Sequence, residues 1–220
     1  MAQHFGVNLR ANDADLYLNK NNYLTVSKKT SFDIRIHIPN MYKDDLSNEY
    51  SDEWCEQHKT NCFINYDLNM KYFESLDHSD FDKKVAKFVK AQYFEQCLDL
   101  NRVSDVEGIY MMVLDRYTQA YIGTSKNIKR RIMNHWTNKV PFDRLLFPIQ
   151  GITTSKLSID SFRALDTTRI FVSPRHLASQ EEYSMVNKIP DKYLCNRISG
   201  GTLPEIIMNE IFINPRSRDM

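Results

Sequence analysis

A chain of 220 residues has room for one large domain or two small ones, with a hydrophobic core of real size. Apolar side chains make up 42% of it and charged ones 26%, the balance of an ordinary soluble protein. No run approaches the length of a membrane span and no apolar stretch follows the opening MAQHFGVNLR, so neither a membrane partner nor a secretory leader is expected. Four cysteines (Cys55, Cys62, Cys97, Cys195) read as reduced thiols, not a disulfide framework, and point to an intracellular, cytoplasmic location.

Net charge of +1 conceals an asymmetry. Residues 1–105 carry 13 Lys and Arg against 17 Asp and Glu, whereas residues 106–220 carry 16 against 11. A basic half joined to an acidic half suits a polyanion-binding domain with an appendage that does not itself grip phosphate.

The first half says little about chemistry. Phe32, Ile34, Ile36 and Ile38 alternate with polar residues, an amphipathic strand stopped by Pro39. Residues 40–60 are polar and acidic, which suggests a surface loop or short helix. Ser79 with Asp82 resembles a capping box, predicting a helix from about Asp80 to Leu98 with Phe81, Val85, Phe88, Val89 and Cys97 inward. Lys83, Lys84, Lys87 and Lys90 would then form a solvated face. Cys55, His58 and Cys62 have knuckle-like spacing, but a structural zinc wants four ligands and the nearest further candidate is the distant His78. Signatures of nucleotide hydrolysis, dinucleotide binding, and serine or zinc-peptidase chemistry do not occur.

The stretch from Gly108 to Trp136 carries more. Ile109, Met111 and Val113 alternate with Tyr110 and Met112 as in a half-buried strand, and Ala120-Tyr121-Ile122 returns after a polar turn. Gly123 breaks the strand, and Ser125 or Asn127 can cap a helix whose apolar stripe is Ile128, Ile132 and Trp136. Arg131 and His135, four residues apart, share one face of that helix. Beyond it, Pro141–Gly151 reads as a Pro-punctuated connection, Ser158–Leu165 as a short helix, Thr168–Val172 as a buried strand and Leu177–Ile189 as a helix.

Gly108-Ile109-Tyr110, then ten residues, then Tyr121-Ile122-Gly123, with Arg131 eight residues after that glycine and His135 four beyond, closely resembles the GIY-YIG endonuclease family. The resemblance covers about residues 105–200. It implies an α+β fold with a small three-stranded antiparallel sheet flanked by helices, here with an N-terminal α/β extension. The chain then divides into an N-terminal accessory region, 1–104, serving substrate choice or a protein contact, a catalytic domain, 105–203, and a tail, 204–220. The insertion between Trp136 and Thr168 is longer than the family's minimal version.

The activity implied is metal-dependent DNA cleavage leaving 5′-phosphate and 3′-hydroxyl ends, of restriction, mobile-element or repair type. By resemblance Tyr110 is the general base or the group orienting the attacking water, Tyr121 bonds water or phosphate, and Arg131 grips the phosphate with His135 beside it. Glu182 would hold one Mg²⁺ (or Mn²⁺), since Met185, Val186 and Ile189 follow at the apolar spacing the family shows. Glu181 would put polar Ser184 and Lys188 at those places and reads as a solvated neighbour. Lys126, Lys129, Arg130 and Asn196 are the expected nucleic-acid contacts, Asn196 supporting the site or touching phosphate ahead of a Ser199-Gly200-Gly201 turn. A tyrosine with a pKa of about 10 is a poor base near neutrality. Cationic charge from Arg131, His135 or Lys126 is therefore expected to lower that of Tyr110. DNA is the expected partner, with a homodimer one route to cutting both strands. The alternatives are a non-catalytic nucleic-acid-binding module and an RNA-cleaving nuclease.

Overall fold

The computed structural model describes residues 2–9, 16–28, 50–146, 151–177 and 181–196. The strand expected at Phe32–Ile38, the turn at Ser199-Gly200-Gly201 and the tail 204–220 lie outside the described residues. In chain order the elements are a small hairpin of β1 (Ala2–His4) and β2 (Val7–Leu9), then β3 (Ser27–Lys28), α1 (Asp52–Glu74), α2 (His78–Ala91) and β4 (Glu95–Gln96). There follow β5 (Gly108–Leu114), β6 (Gln119–Ser125), α3 (Ile128–Thr137), β7 (Val140–Pro141), β8 (Arg169–Pro174) and α4 (Glu181–Val186).

α1 is a 23-residue helix where the sequence suggested a loop or short helix. Ser51 caps it by accepting from the Trp54 backbone N–H at 3.2 Å, and Asp52 and Glu53 in the first turn complement the positive helix end. Its buried face mixes Leu68, Tyr72 and Phe73 with His58, Asn65 and Asn69, so no clean apolar stripe marks it in the sequence. The asparagines are buried because they clasp another segment. Asn65 Nδ2 donates to the carbonyls of Ile152 and Ser155 at 2.7 and 2.6 Å. Asn69 Oδ1 accepts from the Leu157 N–H at 3.0 Å.

α2 differs from expectation at both ends. Asp77, not Ser79, is the cap, accepting from the Asp80 N–H at 3.0 Å. The helix stops at Ala91, and Tyr93, with a left-handed φ of 56°, turns the chain out of it. Cys97 therefore lies past the helix, its N–H bonded to the Ile170 carbonyl at 2.8 Å. Phe81, Val85 and Phe88 do face inward, and the four lysines lie exposed.

The sheet has the order β4-β8-β5-β6 with every neighbouring pair antiparallel. It contains four strands where three were expected, because the two-residue β4 adds to the outer edge of β8. β5 is buried along its whole length, one face to each of two cores. Tyr110, Met112 and Leu114 pack with α1, α3 and residues 157–172, while Ile109, Met111 and Val113 pack with α2 and α4. Helices on both faces of an antiparallel sheet make this an α+β protein. The short 3₁₀ turns Ile159–Ser161 and Ala164–Asp166 stand where one short helix was expected. No helix among the described residues is long and apolar enough to cross a membrane.

Candidate active site

Strand register explains the first tripeptide and its partner. Tyr110 sits directly opposite Gly123 on β6, and Tyr121 lies opposite Met112, so both phenols emerge on the face covered by α3. A Cβ added at Gly123 would come within 2.4 Å of Tyr110 Oη and 2.6 Å of its Cζ. Only glycine lets the Tyr110 ring lean across β6. Gly108 similarly clears β8, where a Cβ would meet the Ser173 carbonyl oxygen at 2.5 Å. Gly123→Ala should therefore cost about 1–3 kcal/mol, read as a thermal midpoint lower by several degrees. In a Tyr110→Ala background the same change should cost well under half as much. An equal cost in both backgrounds would show that the clash is not with Tyr110.

The second contribution comes from α3. Asn127 is the cap, its side chain accepting from the Arg130 N–H at 2.9 Å, while Ser125 braces the backbone of Asn127. This start aims Arg131 and His135 at the two tyrosines. Tyr110 Oη lies 2.8 Å from His135 Nε2, and His135 Nδ1 lies 2.7 Å from Asp160 Oδ1. Tyr121 meets the imidazole edge-on, with ring centroids 4.8 Å apart. The Arg131 guanidinium interacts with both phenol oxygens; burial opposes its charge, and the two oxygens more than offset that.

The acidic end of the site comes from α4. Glu182 Oε2 accepts from the Thr124 hydroxyl of β6 at 3.1 Å. Glu181 is drawn the other way, its Oε1 lying 3.5 Å from Arg175 Nη1. Tyr121, Arg131, His135, Ser158, Asp160, Glu182 and Asn196 share a cavity of about 150 Å³. Asn196 spends its side-chain amide on one backbone unit, accepting from the Ile122 N–H at 3.1 Å and donating to the Ile122 carbonyl at 2.6 Å. It acts there as one further rung on the edge of β6, which corresponds to the supporting role. Of the expected basic contacts, Lys126 and Arg130 are exposed, whereas the Lys129 ammonium donates to Asn101 Oδ1 at 2.7 Å.

Two contributors carried no signal in the sequence. Asp160 reaches His135 from the insertion, 25 positions along the chain. Lys156 is buried beneath the segment leading to Asn196, donating to the carbonyls of Asp191, Lys192 and Leu194 at 3.1, 3.3 and 2.6 Å. Burial pulls its pKa down to about 8, and the carbonyl cage keeps the ammonium in place.

The expected lowering of the Tyr110 pKa is overturned. Burial drives the Tyr110 hydroxyl well above the ordinary tyrosine value and Tyr121 adds to the rise, while Arg131 opposes them without prevailing. Tyr121 is pushed up to about 12, by burial and then by the Glu182 carboxylate. The phenols in this site are thus firmly protonated. Any basic role for Tyr110 requires somewhere for its own proton to go.

Glu182 presents one carboxylate to the cavity, and such a donor fits Mg²⁺, which keeps several of its own waters and takes few protein ligands. The Cys55, His58 and Cys62 face of α1 does not fit zinc. His58 Nε2 donates to the Phe142 carbonyl at 2.7 Å. Burial raises the Cys62 thiol far above the usual range and that of Cys55 to about 11, which disfavours the thiolates zinc needs. Among the described residues no cluster of three or more His, Cys, Asp or Glu side chains is arranged for a metal ion.

Comparisons with protein-family models, with curated proteins and with solved structures give no match to this chain.

Proposed function

We propose that the protein is a metal-dependent DNA endonuclease of GIY-YIG type, hydrolysing phosphodiester bonds to 5′-phosphate and 3′-hydroxyl ends. The observation that carries this reading is the convergence of Tyr121, Arg131, His135 and Glu182 on one cavity, from β6, α3 and α4, with the buried Tyr110 of β5 bonded to His135 behind it. A structural core has little use for a guanidinium, a phenol, an imidazole and a carboxylate around a void.

Phosphodiester hydrolysis must deprotonate a water, stabilise negative charge at phosphorus and accommodate the leaving 3′ oxygen. A Mg²⁺ bound at Glu182 would supply Lewis-acid stabilisation of that charge. Arg131 offers a planar fork of permanent donors to the non-bridging oxygens. Tyr110 orients the water and receives its proton, and Tyr121 fixes the position of water or phosphate. Lys126 and Arg130, exposed beside the start of α3, supply attraction to the flanking backbone. The first 104 residues contribute through their hold on the insertion, since Asn65 and Asn69 of α1 anchor residues 152–157. A homodimer is the natural way for one small site per chain to cut both strands.

Incubation with a diverse double-stranded DNA library in Mg²⁺, followed by sequencing of ligatable ends, tests the reading. Fragments with 5′-phosphates are expected. DNA that is bound but never cut would favour the non-catalytic binding module, and cutting confined to a parallel RNA pool would favour a ribonuclease.

A further inference from the structure

The line Tyr110–His135–Asp160 is held by two contacts of 2.8 and 2.7 Å and is anchored at both ends. Asp160 is a carboxylate and accepts only, so His135 Nδ1 must carry a proton to bond it. In the neutral imidazole this leaves Nε2 bare. The Tyr110 hydroxyl, 2.8 Å from that nitrogen, then donates to it. We propose that Asp160 is a positioning residue. It locks His135 in the Nδ1–H tautomer, so that Nε2 is free to take the Tyr110 proton as the phenol deprotonates the attacking water.

This rests on the nuclease reading for its purpose, though not for its geometry. The steps balance. Tyr110 passes its hydroxyl proton to His135 Nε2, giving a phenolate and an imidazolium. The phenolate removes a proton from the water whose oxygen bonds to phosphorus, and the bond from phosphorus to the 3′ oxygen breaks. The 3′ oxygen gains a proton from solvent, and the imidazolium returns one to solvent. The carboxylate of Asp160, with about a fifth of its side chain exposed, stabilises the imidazolium while it exists. A tyrosine as firmly protonated as Tyr110 needs such an acceptor beside it.

The charged and titratable groups around His135 are Tyr110 from β5, Tyr121 from β6, Arg131 from its own helix and Asp160 from the insertion. Glu182 and Cys195 stand across the same cavity. Among them Asp160 alone touches Nδ1. The insertion that presents it is held by α1 through Asn65 and Asn69 and by Trp136 Nε1 donating to Thr167 Oγ1 at 3.0 Å.

Nitrogen-15 NMR of the full chain labelled at histidine tests the proposal directly. In the wild type with a neutral His135 ring, Nδ1 is expected to appear protonated and Nε2 as a bare acceptor. Asp160→Asn can turn an amide N–H toward Nδ1, which forces the ring proton onto Nε2. Its spectrum should show that change, and plasmid nicking should fall by about 100-fold. Asp160→Ala should lose the Nδ1–H preference and as much activity. A wild-type proton on Nε2, or variants that keep wild-type nicking, would overturn the proposal. Absence of cutting by every form would instead defeat the nuclease reading, with the tautomer still deciding the role of Asp160.

Discussion

Arg131→Ala is expected to lower single-turnover DNA cleavage by about 10²–10³-fold with little change in thermal stability. Arg131 is exposed on the surface of α3, so removing its side chain leaves no hole in a core. What it removes is the one guanidinium in reach of both phenol oxygens at the cavity. Charge building on a scissile phosphate would lose its bidentate partner. Arg131→Lys restores the charge without the fork and should recover only a small part of the rate. Full recovery by lysine would mean that Arg131 acts as a general surface cation and not as a phosphate clamp.

Glu182→Gln and Glu181→Gln should behave very differently, although the two residues are neighbours. Glu182 opens on the cavity and is braced by Thr124, whereas Glu181 faces Arg175. Loss of the Glu182 carboxylate should abolish Mg²⁺-supported cleavage at millimolar metal, a drop of about 10²-fold or more. The Glu181 variant should stay within about threefold of wild type, as expected for a residue outside the cavity. A magnesium titration of both proteins reads this out. The reverse pattern would transfer the metal role to Glu181 and require α4 to turn.

The hairpin and α3 were legible because their signals are local. Alternation along β5, a break at Gly123 and the Asn127 cap each act within a few residues, and the spacing that sets Arg131 and His135 on one face is a property of any helix. That Glu182 opens on the cavity while Glu181 does not was legible for the same reason, since Met185 and Val186 fix which side of α4 is inward. α1 was not legible, because Asn65, Asn69 and His58 lie on its buried face and are satisfied by carbonyls that belong to residues about 80–90 positions away. Polar residues with remote partners look like solvent-facing residues until the partners are in place. The N-terminus of α2 misled for the opposite reason. Ser79 and Asp82 have the spacing of a capping box, but Asp77 takes the Asp80 N–H first. Asp160 and Lys156 acquire meaning only through tertiary contact. The protonation of Tyr110 followed burial, a quantity that residue spacing does not report.

Nicking of supercoiled plasmid by the purified chain, with Mg²⁺ and with the metal chelated, tests the central assignment most directly when Tyr110→Phe is run beside the wild type. Phenylalanine keeps the ring that packs over Gly123 and removes only the hydroxyl that meets His135. The predicted result is relaxation of the plasmid by wild type in Mg²⁺ alone, with the variant folded and slower by at least about 100-fold. Equal nicking by the two proteins, or nicking that survives chelation, would contradict it.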